Sequence, residues 1–122
     1  MTRAPTKWPT ELRLRDGGKT LTVSFDDGES YNLDAEYLRV ESPSAEVQGH
    51  SIEQRKWIGG KKNVRIKEMV PVGNYAVQLV FDDGHDTGIY PWENLWHLGK
   101  FHPEIWAIYE AKLAEAGLKR EP

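Results

Sequence analysis

Phe25-Asp26-Asp27-Gly28 and Phe81-Asp82-Asp83-Gly84 are the same four residues written twice, each closing an apolar, β-branched run: Leu21-Thr22-Val23-Ser24 before the first and Val77-Gln78-Leu79-Val80 before the second. Asp-Gly is a strong short-range signal for reversing an antiparallel strand, so each copy reads as a β-hairpin. After the first turn, Tyr31-Asn32-Leu33 leads into Asp34-Ala35-Glu36-Tyr37-Leu38, where Asp34 can cap a short helix. After the second, Ile89-Tyr90 leads into Pro91-Trp92-Glu93-Asn94-Leu95-Trp96, with proline suited to a first helical turn. Hairpin then short helix is written twice, by internal duplication or by convergent turn chemistry.

The flanking segments extend this frame. Glu11 to Arg15 and Val64 to Val70 alternate apolar with charged residues as half-buried strands do, and Asp16-Gly17-Gly18 and Pro71-Val72-Gly73-Asn74 are turns. Residues 41–50, broken by Pro43 and Gly49, read as a loop with at most one helical turn. Residues 51–63, with Gly59-Gly60-Lys61-Lys62, read as an exposed connection. Pro103 opens a C-terminal helix in which Ile105, Ile108, Tyr109, Leu113 and Ala116 recur at helical spacing, and Gly117 can cap it. The expected fold is α+β: an antiparallel sheet built from two similar β-hairpins, each followed by a short helix, plus a C-terminal amphipathic helix packed on the sheet.

Composition narrows the function. The 122 residues suffice for one domain with its own core, and the absence of cysteine removes disulfides, thiolate metal sites and a cysteine nucleophile. No stretch approaches the roughly 18 apolar residues of a membrane span, and the start lacks a signal-peptide core, so the expected location is cytoplasmic, with no membrane partner. A net charge of -3 argues against a nucleic-acid partner, and the single basic stretch at Lys61-Lys62 lacks the aromatic interleaving of a nucleic-acid track. Ser42 and Ser44 have no adjacent base and no nucleophile elbow, which argues against a hydrolase.

The chemistry-bearing residues gather in two segments. His85 follows the second Asp-Gly turn and neighbours Asp86; nearby carboxylates would raise its pKa. His50 ends the Ser-Pro-Ser loop. If that loop folds across the second hairpin, His50 and His85 could converge with Glu46 or Asp86 into a site for Zn or Fe(II), or the same residues could form a hydrogen-bonded clamp. His97 sits where an imidazolium favours a helix C-terminus, and His102 precedes Pro103. Of five tryptophans, Trp92, Trp96 and Trp106 suit the core, whereas Trp57 and Trp8 are candidate anchors for another protein.

Three stretches together carry a resemblance. They are Leu38 to His50 (LRVESPSAEVQGH), Val72 to Val77 (VGNYAV), and Phe81 to Tyr90 with Trp92 (FDDGHDTGIY-W). The combination closely resembles a bacterial domain family of unknown function, DUF971, which is similar to the N-terminal domain of gamma-butyrobetaine hydroxylase. The resemblance divides the chain into a flexible arm at 1–8, the domain at 9–99, and a C-terminal helix and tail at 100–122. In the hydroxylases this domain holds a structural zinc through three cysteines and a histidine, whose positions fall here on Ser42, Ser44, Val47 and His85. The inherited zinc site is therefore expected to be lost, and without the separate oxygenase domain no catalysis is expected. Similar domains fused to P-loop ATPases that carry iron-sulfur clusters imply an accessory or adaptor module for metal-cofactor handling, with another protein as partner. Trp57, Ser42 and Ser44 are the expected partner-binding residues. The alternative is a metal-binding protein or enzyme using His50, His85 and a carboxylate from Glu46 or Asp86.

Overall fold

The computed structural model describes residues 7–122. Most of the expected N-terminal arm, residues 1–6, lies outside the described residues. Lys7 and Trp8 are held: the Lys7 ammonium meets Asp27 at 2.9 Å, and the Trp8 carbonyl accepts the Asp26 amide.

Strands β1 (Pro9–Arg15), β2 (Thr20–Phe25) and β3 (Ser30–Asp34) form one antiparallel sheet, and β4 (Ile66–Val72), β5 (Ala76–Phe81) and β6 (Gly88–Pro91) form a second. Helix α1 (Ala35–Val40) follows the first sheet, and α3 (Trp92–Lys100) follows the second. The one-turn helix α2 (Ala45–Gln48) lies between them in the chain, and α4 (His102–Ala116) follows α3. The expected α+β class holds, with the strands divided equally between two three-stranded sheets.

The repeat extends to individual hydrogen bonds. The Phe25 amide bonds the Glu29 carbonyl and the Phe81 amide bonds the His85 carbonyl; the Gly28 and Gly84 amides return to Phe25 and Phe81. These two glycines have φ of 90° and 94°, a left-handed conformation that an Asp-Gly turn demands of its second residue. Even the register shift recurs, between Pro9 and Glu11 in β1 and between Ile66 and Glu68 in β4. Asp34 and Pro91 stand at equivalent N-caps, although neither side chain makes a capping hydrogen bond.

The two repeats share one core. Alternating residues Leu21, Val23, Leu33, Leu79 and Phe81 are buried together with Leu38 of α1 and Leu95 of α3. Phenols tie the halves: the Tyr37 hydroxyl donates to the Leu98 carbonyl at 2.7 Å, and the Tyr90 hydroxyl donates to the Leu38 carbonyl. Burial raises both phenol pKa values far above the ordinary range, so both remain donors at neutral pH.

Helix α4 packs through Tyr109 and Leu113 of its apolar stripe on Val40 of α1 beside Trp57, and its Ile105 and Trp106 lie against the shared core of sheet and helix residues. Ile108, expected in that stripe, is 54% exposed. Gly117 ends α4 in the left-handed conformation expected of it. The tail then returns beside the 59–62 connection: the Gly60 amide bonds the Lys119 carbonyl at 2.8 Å and the Lys62 amide bonds Arg120. Arg120 closes this strap with a bidentate pair to Glu36, whose side chain is buried. Arg120→Ala is expected to lower unfolding free energy by about 1–2 kcal/mol, because it strands a buried carboxylate but removes a partly hydrated guanidinium. Urea denaturation checks this, and unchanged stability would show that the strap contributes nothing.

Candidate functional site

The loop after α1 does cross to the second hairpin, and His85 is where they meet. Ser42 Oγ lies 2.9 Å from His85 Nε2, and Glu46 Oε2 lies 3.0 Å from His85 Nδ1. Two residues on, Ser44 Oγ meets Thr87 Oγ1 at 2.6 Å. Ser44 also caps α2 by accepting the Glu46 amide, which fixes the direction in which Glu46 leaves the helix. Gly88 makes room for this contact. A Cβ there would lie 2.8 Å from Ser42 Oγ, closer than a side chain tolerates.

His85 is 5% exposed and Ser42 is fully buried. Burial, then the nearby Arg39 charge, lowers the His85 pKa below the ordinary 6.5; Glu46 and Asp83 act in the opposite sense without prevailing. This corrects the expectation of a raised value, which counted the carboxylates and omitted burial. A neutral ring assigns the protons: Nδ1–H donates to Glu46, Nε2 accepts from the Ser42 hydroxyl, and Ser42 Oγ accepts the Ser44 amide.

A second pair of elements braces the same turn. Asp83 accepts Arg39 Nε at 2.8 Å and Lys61 Nζ at 2.6 Å, while its other oxygen accepts the His85 amide. Burial opposes ionisation of Asp83, but the hydrogen bonds from Lys61, His85 and Arg39 hold its pKa down at about 2. Lys61, expected in a solvated connection, thus belongs to this cluster.

The hydroxyl, imidazole and carboxylate stand in the order of a nucleophilic triad. The nucleophile position is sealed, however. Ser42 has no exposed surface and lines none of the cavities described below, so no substrate carbonyl can reach it. The arrangement is a clamp that fixes the loop.

The expected metal set is not assembled. His50 is exposed, with its amide bonded to Gln54, and lines an outer cavity, while both His85 nitrogens are engaged by Ser42 and Glu46. Asp86 is exposed and its carbonyl accepts Gln78 Nε2. Among the described residues, no group of three or more histidine, aspartate and glutamate side chains is placed to hold a metal. Nor do the residues fit the zinc site that the resemblance implies: Ser42 and Ser44 offer hydroxyls, Val47 an alkyl group, and His85 no free nitrogen. Ser42 and Ser44, expected to touch a partner, are instead spent inside the clamp, at 0% and 8% exposure.

Trp57 does face outward in part. It is half-buried beneath the Arg55 guanidinium, 3.9 Å from the ring centroid, and Arg55 pairs with Glu41 at 2.9 Å. Burial raises the Glu41 pKa, with Arg55 opposing. Gln48, Arg55 and Trp57 form a common wall between two cavities. One, of about 370 Å³, reaches Asn94, Ile105 and Ile108; the other, of about 450 Å³, reaches His50 and Ile52. Arg55 and Asn94 went unmarked in the sequence: a cation two residues before an aromatic is the signal that could have found the first, and Asn94 carries no local signal.

Ser42→Ala is expected to cost about 1–2 kcal/mol by leaving His85 Nε2 unpaired in the interior. Because the folded pKa of His85 lies below 6.5, its contribution is complete above pH 6.5 and is lost as pH falls below that value. Thermal melts from pH 7 to pH 5 should therefore fall more steeply for wild type than for His85→Gln. Equal slopes would reject a neutral buried imidazole.

The family model for gamma-butyrobetaine hydroxylase-like N-terminal domains matches residues 12–96. Two solution NMR structures are similar, at 45% and 46% identity and TM-scores of 0.82 and 0.83; they cover 95% and 100% of this chain, and 91% of each of those chains is covered. A crystal structure of a DUF971-family protein of unknown function from Acidithiobacillus ferrooxidans is 42% identical, with a TM-score of 0.62 over 75% of this chain and 91% of that one. No protein of curated function matches.

Proposed function

This chain belongs to the gamma-butyrobetaine hydroxylase-like N-terminal family, and from that premise we propose that it acts as a non-catalytic binding module whose contact face is the wall around Trp57. The observation that carries this reading is the pair of cavities sharing Gln48, Arg55 and Trp57, rimmed by Ile52 and Ile108, which are 92% and 54% exposed. Large exposed apolar side chains beside a half-buried tryptophan are what a protein partner covers. The clamp supports the role indirectly. By fixing Ser42 and Glu46 it sets the loop from which Gln48, Arg55 and Trp57 project, so the face is preorganised.

The finer role is that of an accessory to metal-cofactor or iron-sulfur proteins, as the family resemblance implies. Without cysteine this chain would serve by holding a partner that carries the cofactor. A protein partner is favoured over nucleic acid by the net charge of -3, and no helix among the described residues is long and apolar enough to cross a membrane.

Ile52→Glu and Ile108→Glu alter exposed side chains, so each should change stability by no more than about 0.5 kcal/mol. Affinity capture with the wild-type domain should recover a partner that either variant loses at least in part. Identical recovery by wild type and both variants would place the binding face elsewhere.

A further inference from the structure

We infer that the open edge of β1 accepts an extended segment of a partner protein as a further strand of the first sheet, with acidic and apolar residues alternating along that segment. No residue of β1 lines the cavities beside Trp57, so this surface is independent of that face. Two three-stranded sheets present four edges. Helix α3 covers β3, where Gly99 lies against the Tyr31 ring. The serine loop covers the start of β6, through Ser42 at Gly88 and Ser44 at Thr87. Strand β4 carries Pro71 within it, which has no amide to offer. Strand β1 differs from all three. It is seven residues long with proline only at its first position, and among the described residues its backbone from Glu11 to Leu14 bonds no segment other than β2. Outward amides and carbonyls of this kind are a template for strand addition.

Side chains specify what is added. Leu12 and Leu14 point to the core side and stay half-buried at its margin, so apolar residues on an incoming strand would complete their cover. Glu11, Arg13 and Arg15 stand on the opposite face, in rows with Ser24, Thr22 and Thr20 of β2. Arg13 has Glu11 at 2.8 Å, whereas Arg15 has no carboxylate partner among the described residues. Arg65 adds a second such charge: its guanidinium donates to the Asp16 and Gly17 carbonyls at 2.9 and 3.5 Å, just past the end of β1. Lys19 is tied to the same place by its amide, which bonds the Arg15 carbonyl. Arg13, Arg15, Lys19 and Arg65 thus face only Glu11 and Asp16 around this turn, and the balance is positive. That excess decides between occupants. A second copy paired edge to edge would set these cations against their own kind, as charged edge strands do to resist self-association. Carboxylates placed opposite Arg13 and Arg15 would be attracted instead.

The probe is the capped peptide N-acetyl-Gly-Glu-Val-Glu-Val-Glu-Gly-amide, titrated into ¹⁵N-labelled protein. It should give saturable shifts at the amides of residues 11–15, with a dissociation constant on the order of millimolar. The same peptide with lysine for glutamate should bind at least about tenfold more weakly, and so should the acidic peptide to Arg15→Glu. Arg15→Lys, which keeps the charge, should stay within about threefold of wild type. An acidic peptide with proline for its first valine keeps every carboxylate but loses an N–H, and should bind at least about fivefold more weakly. Arg15 is exposed, so these variants leave the fold intact. Absence of shifts in β1, equal binding of the lysine peptide, or no effect of Arg15→Glu would overturn the inference. Equal binding of the proline peptide would reduce the contact to charge alone and reject strand addition. A dimer in sedimentation equilibrium that Arg15→Glu alters would assign the edge to a second copy and reject the acidic partner. Ile52→Glu and Ile108→Glu should leave peptide binding unchanged, so the fate of the Trp57 face is read separately; loss of binding in either would refute an independent surface on β1.

Discussion

The buried imidazole of His85 joins the two halves of the chain at the point where they have least in common. It is reached from the first repeat by Ser42 and Glu46 and belongs to the second, so its two ring nitrogens close a contact between segments distant in sequence. In the interior such bonds matter less for their net gain than for the cost of leaving any one unmade. Ser42, Ser44, Glu46, Thr87 and Gly88 are constrained together. Replacing one leaves a donor, an acceptor or a volume unmatched.

The repeats exchange contacts reciprocally. The residue after the second turn, His85, grips the segment that follows the first repeat's helix. Its counterpart after the first turn, Glu29, accepts the indole N–H of Trp96 at 2.6 Å and lies 3.6 Å from Lys100, both in the second repeat's helix. One corner is sealed and neutral in its imidazole, while the other is charged and partly hydrated. Identical backbone turns therefore support different electrostatics, because a carboxylate tolerates the wet corner and a neutral ring the dry one. The two cavities that share Gln48, Arg55 and Trp57 border the connection that follows the clamp.

Much of the fold was readable because its signals are local. Asp-Gly turns, alternating strands and the Pro103 and Gly117 ends of α4 depend on residues within a few positions of one another. The sequence poses the meeting of the serine loop with the second hairpin as a condition and offers Glu46 as a participant; Glu46 does reach His85, Ser42 and Ser44 join the contact, and His50 and Asp86 stay outside it. Nothing in the spacing of His50 shows that the turn at residues 52–54 carries it outward. The lowered pKa of His85 was likewise hidden, since neighbours in sequence suggested carboxylates while burial, a property of the whole fold, governs the result. Asn94 and the Arg120–Glu36 strap lay wholly beyond local reading.

The sequence by itself determined the elements, their antiparallel pairing within each hairpin, the repeat and the family, because each follows from short-range backbone preference or from motif identity. Tertiary structure alone decided which side chains share a dry environment, which face water, and which cavity remains between the loop and the last two helices. Those outcomes depend on desolvation and on packing between residues far apart in the chain, and neither quantity is defined until the two repeats have closed on each other.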